Sequence, residues 1–104
     1  MQLKIEKLDK IGDGVNFLIN NKIRFEICDS FLRSREFDIK RFAEYILDNA
    51  RNNFLIKDAE RFEFLRVKVW NDGRIMATIK IDNSEEDRTF AESDNFCEKF
   101  IMND

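Results

Sequence analysis

The chain has 104 residues, is 43% hydrophobic with 11 Phe, and contains no histidine. That length holds one domain, residues 1–104, and so apolar a composition is not that of a disordered tail. Lys plus Arg is 18 against 21 Asp plus Glu, a net charge of −3, which excludes a generally basic nucleic-acid binder but leaves room for a local basic patch.

The N-terminus alternates charged and apolar residues from Leu3 to Lys7. It has neither the apolar stretch nor the small-residue cleavage site of a signal peptide. No apolar run approaches the ~20 residues of a membrane span. The only cysteines are Cys28 and Cys97, too few for a disulfide scaffold, so a cytoplasmic protein with free thiols is expected.

Leu3 and Ile5 suggest a first strand, and Gly12-Asp13-Gly14 a turn into the second. Val15, Phe17 and Ile19, then Ile23, Phe25 and Ile27, alternate on either side of Asn20-Asn21-Lys22. Period two is the strand signature. A turn centred on Asn21 pairs Ile19 with Ile23 and Phe17 with Phe25, and Asn tolerates the left-handed conformation such turns need. Cys28 falls on the polar side with Arg24 and Glu26.

A helix follows. Asp38 is the expected N-cap, with Phe37 and Phe42 placed as a hydrophobic staple. Ile39, Phe42, Ala43, Ile46 and Ala50 form one apolar stripe, while Asp48, Arg51 and Asn52 face outward and Asn52-Asn53 ends the helix.

A second hairpin is the clearest element. Leu65, Val67 and Val69 alternate with Arg66, Lys68 and Trp70, and Ile75, Ala77 and Ile79 with Met76 and Thr78. A two-residue loop would mix the faces. A loop of Asn71-Asp72-Gly73 pairs Val69 with Ile75, Val67 with Ala77 and Leu65 with Ile79, and makes one face wholly apolar, so this register is expected. Gly73 then takes the left-handed position of a bulged type I turn. The apolar phase shifts upstream to Phe62 and Phe64, which predicts a bulge near Phe64-Leu65. In the tail, a short helix capped by Ser93 would place Phe96, Cys97, Phe100 and Ile101 on one stripe. The expected fold is α+β: a single antiparallel sheet in βββ-α-ββ-α order, both helices packed on one face and the other face partly open.

Without histidine there is no histidine metal ligand and no Ser–His or Cys–His nucleophile pair. Glu85-Glu86-Asp87 has no calcium-loop spacing and reads as a solvated loop. Asp29 with Asp38-Ile39-Lys40 loosely imitates a metal-dependent nuclease, but Asp38 is better placed as a helix cap. No phosphate loop or dinucleotide fingerprint is present. No catalytic residue, metal site or cofactor is assigned, and a non-enzymatic protein is expected.

Arg66, Lys68, Trp70, Arg74 and Met76 share the polar side of the second hairpin. Trp and Arg are enriched at interface hot spots and Met adapts its shape, so these five are the candidate partner-binding residues, with a Trp70–Arg74 cation–π pair as their structural reading. The alternative is nucleic-acid binding by the same basic sheet face joined by Arg33, Arg35 and Arg41. Ile, Phe, Asn and Lys, whose codons are AT-rich, are favoured over the three Gly and the absent Pro. Together with the small size, this suggests a phage- or mobile-element-encoded inhibitor of a host defence protein, such as an anti-CRISPR. Its partner would be a host protein or protein–nucleic acid complex, with no membrane association. An exposed strand edge leaves homodimerisation open.

Overall fold

A computed structural model describes residues 2–9, 12–33, 35–91 and 96–102. The fold is α+β with a mostly antiparallel sheet. The strands are β1 (Ile5–Lys7), β2 (Gly14–Ile19), β3 (Ile23–Cys28), β4 (Glu36–Phe37), β5 (Phe62–Val69), β6 (Ile75–Ile81), β7 (Ser84–Thr89) and β8 (Ile101–Met102). Between them lie α1 (Asp29–Leu32), α2 (Ile39–Asp48), α3 (Ala50–Asn53) and a 3-10 turn over Phe96–Phe100. Six strands form one sheet in the order β1-β2-β3-β5-β6-β7, and β4 pairs with β8 in a separate two-stranded ribbon.

Both hairpins have the registers that alternation requires. Ile19 faces Ile23 and Phe17 faces Phe25, with Asn20 and Asn21 both left-handed in the turn. In the second hairpin Val69 faces Ile75 and Val67 faces Ala77. Gly73, at φ 87°, donates its N–H to the Trp70 carbonyl at 3.0 Å, and the Trp70 N–H donates to Arg74 O at 2.8 Å. The bulge falls between Phe64 and Arg66, so Ile79 pairs with Phe64 and not with Leu65. The extra residue is Leu65, left half-buried.

Four features differ from the expected order. The central pair, β3 and β5, is parallel, because the chain from 29 to 61 crosses over the sheet before returning beside β3. The acidic segment 84–89 is an edge strand on β6, not a loop. Both of its faces are mostly wet, so it needs no apolar alternation. The tail is a 3-10 turn that runs into a strand, with Ile101 facing Phe37. Its stripe is nonetheless buried: Phe96, Cys97, Phe100 and Ile101 all lie in the core. Ser93, the expected cap, lies outside the described residues. The helix is also interrupted at Asn49, whose N–H donates to Tyr45 O, and it resumes as α3.

The Asp38 carboxylate accepts the Arg41 N–H at 3.2 Å, and the Phe37 and Phe42 rings meet edge-on with centroids 5.0 Å apart. This is the cap and staple that the sequence spells. Phe42 then packs against Phe25 of β3 (6.0 Å) and Phe100 (5.4 Å), which seats α2 on the sheet face carrying Phe25, Ile27, Val67, Val69, Ala77 and Ile79, all buried. At the β7 edge Arg88 closes this layer, donating to Leu55 O at 3.0 Å. Asp38→Ala should lower stability by about 1 kcal/mol, and Asp38→Asn by much less. Urea midpoints at constant slope measure both.

Candidate functional site

The opposite sheet face carries the residues that alternate with the core. Its middle row runs Asn16, Glu26, Lys68, Met76 and Thr89 across β2, β3, β5, β6 and β7. The next row runs Glu6, Leu18, Arg24, Arg66, Thr78 and Asp87. Arg24 and Arg66 are exposed, and Leu18, Glu26, Lys68, Met76 and Thr78 are half-buried.

At one end of this face Trp70 borders a cleft of about 520 Å³, lined also by Asp13, Gly14, Glu26, Cys28, Lys68 and Asn71. The Lys68 ammonium lies 4.0 Å from the centre of the Trp70 ring and 3.4 Å from the Glu26 carboxylate on the neighbouring strand. Lys68 is thus held between an anion and an aromatic face, both partly desolvated, where a cation–π contact is strongest. Gly14 leaves room for this arrangement, since a Cβ there would sit 2.9 Å from Glu26 Cγ. The indole is half-buried, with the Lys68 ammonium over its ring.

Of the five residues the sequence singles out, Arg66, Lys68 and Met76 lie on β5 and β6, and Trp70 follows β5 directly with Lys68 against its ring. Arg74 is engaged elsewhere. Its backbone N–H and its guanidinium both donate to Asp72, at 3.0 and 2.8 Å. The cation on Trp70 is therefore Lys68, because the bulged turn folds Arg74 back on its own loop. The Arg74 backbone N–H, followed by its guanidinium, lowers the Asp72 pKa. Arg33, Arg35 and Arg41 do not join these residues. Arg33 is the left-handed cap of α1, Arg35 pairs with Glu98 at 3.1 Å, and Arg41 lies over the Phe100 ring. Arg24 and Glu26 are not among the residues the sequence singles out, and both enter through the parallel β3–β5 pairing, which no local pattern announces.

A second hollow of about 750 Å³ lies at the far end of β5 and β6, lined by Arg51, Arg61, Lys80 and Asp82 among others. Arg51 donates there to the Ile56 and Ala59 carbonyls and stacks 4.7 Å from the Phe62 ring, so its guanidinium already braces the loop before β5. Among the described residues no three thiol or carboxylate groups converge on a metal position, and no helix is long and apolar enough to cross a membrane.

Both cysteines are free. Cys28 lines the cleft with its Sγ 3.1 Å from Ser30 Oγ. Burial, reinforced by the Glu98 carboxylate, pushes the Cys97 thiol up to about 12. An unfolded chain ionises this thiol at lower pH, so the native state loses stability as pH rises from the ordinary thiol value toward 12, by up to about 1.4 kcal/mol per pH unit. Cys97→Ala should lose less stability than the wild type over that alkaline range, as read from denaturation midpoints. At neutral pH a maleimide should label Cys28 in the native protein and Cys97 only after unfolding.

No family model, curated protein or solved structure matches the chain.

Proposed function

We propose that this chain is a small non-enzymatic binding protein that acts by covering a partner's surface with the face of its sheet turned away from α2. The observation that carries this reading is the half-buried Trp70, held by Lys68 in the lining of a cleft and accompanied by Arg66 and Met76 on the same sheet face. A pinned aromatic beside cations and an adaptable thioether is the composition of an interface hot spot. The reading takes the helical layer to lie wholly on the other face, and places the protein in the cytoplasm. The chain's AT-rich residue usage extends the proposal to a phage- or mobile-element-encoded inhibitor of a host defence protein, of the anti-CRISPR kind.

The test is a pull-down from host lysate. A Trp70→Ala, Arg74→Ala double variant should fold normally and lose the partner that the wild type retains. Unchanged capture would assign binding to another face. For the inhibitor extension, expression in a host with active defence should restore infection by a targeted phage, and unaltered protection of the host would remove it.

A further inference from the structure

Arg24 and Arg66 are register partners across the parallel β3–β5 pair, and both are exposed on the solvent-facing side of the sheet. Neighbouring strands lie ~4.8 Å apart, so the two like charges leave the sheet close together. Five other cations are matched with acids, Lys22 with Glu63, Lys68 with Glu26, Arg35 with Glu98, Arg74 with Asp72 and Arg88 with Glu86, and among the described strand pairs Arg24 and Arg66 alone set one cation opposite another. Among the described residues no acid lies within ion-pair distance of Arg24 or Arg66, and neither guanidinium donates a hydrogen bond. Two exposed forked donors thus project from neighbouring strands at one register position, with no partner among the described residues.

We infer that the Arg24–Arg66 pair receives an anionic group of the partner, and that this group is a side-chain carboxylate from an acidic protein segment. The inference rests on the binding-protein reading above and names the chemistry of its partner. Guanidinium forks suit planar carboxylates and bind them bidentately. The choice of protein over nucleic acid comes from the ends of the row. Beyond Arg66 it passes Thr78 to Asp87, whose carboxylate accepts the Thr78 hydroxyl at 2.7 Å. Beyond Arg24 it passes Leu18 to Glu6. The cationic spot is two strands wide and bounded by acids. A nucleic-acid strand carries a charge every ~3.4 Å without interruption and would run onto those acids, whereas a short acidic loop ends within the spot.

The experiment follows the side-chain Nε–Hε signals of Arg24 and Arg66 and the Trp70 indole signal in the full ¹⁵N-labelled chain at low salt. The probes are a hexaglutamate peptide and a short oligothymidylate. Hexaglutamate should shift both arginine signals saturably. Arg24→Gln or Arg66→Gln should each weaken it about tenfold, the loss of one charge-assisted hydrogen bond, while leaving the melting temperature unchanged or raised. Oligothymidylate should bind more weakly than the peptide. Arginine signals that ignore the peptide, or tighter binding of oligothymidylate, would overturn the inference. So would a fall in melting temperature for Arg24→Gln, which would give the pair a structural role. A shifting indole with silent arginines would overturn the arginine assignment alone. The binding-protein reading fails separately, when a captured partner ignores Trp70→Ala.

Discussion

Phe42→Ala should destabilise the protein by about 3–5 kcal/mol, a large part of the roughly 5–15 kcal/mol that holds a domain of this size together. Phe42 is fully buried and its ring touches Phe25 of the sheet, Phe37 of the β4–β8 ribbon and Phe100 of the 3-10 turn. Its removal therefore opens a cavity where the sheet, α2 and the tail converge. Phe42→Leu retains most of the volume and should cost clearly less. Chemical denaturation followed by circular dichroism distinguishes the two. Equal, small losses would mean that α2 is not anchored through this ring.

The second large effect concerns binding. With a purified partner, Trp70→Ala should weaken the complex by about 2 kcal/mol or more, roughly thirtyfold in Kd, at little cost to the fold because the indole is only half-buried. Lys68→Ala should act partly through the same residue, since Lys68 holds the ring at 4.0 Å and Glu26 at 3.4 Å. The Trp70 and Lys68 losses should consequently be less than additive in a double-variant cycle. Arg74→Ala should cost least of the group, because its guanidinium is already held by Asp72. Isothermal titration of the single and double variants reads all of these. Additive losses for Trp70 and Lys68 would contradict the pinned-indole geometry.

The contrast between what the sequence predicts and what it does not has a physical basis. Both hairpins, the Gly73 turn, the bulge and the Asp38–Phe37–Phe42 start of α2 are legible because each is specified by residues within a few positions of one another. The features that no local pattern announces depend on long-range pairing or on an absence of signal. β7 has a single half-buried residue, Arg88, so an edge strand of this kind looks like a charged loop. The parallel pairing of β3 with β5 and the ribbon of Glu36-Phe37 with Ile101-Met102 are set by how the crossover packs, which no window of sequence contains. The same holds for the candidate site. Arg66, Lys68, Trp70 and Met76 follow from one hairpin, whereas Glu26 and Arg24 join them only because β3 lies beside β5. Arg74 leaves the aromatic for Asp72 because the three-residue loop places that carboxylate two positions away, a local contact that competes with the cross-strand one.

Trp70 is the chain's single tryptophan, so its fluorescence reports on the proposed surface without labelling. Acrylamide quenching, measured on the free protein and again with saturating partner, is the most direct measurement of whether this face is a docking surface. The account predicts an indole open to the quencher in the free protein and shielded in the complex. An indole already shielded in the free protein, or one equally open in both states, would contradict it.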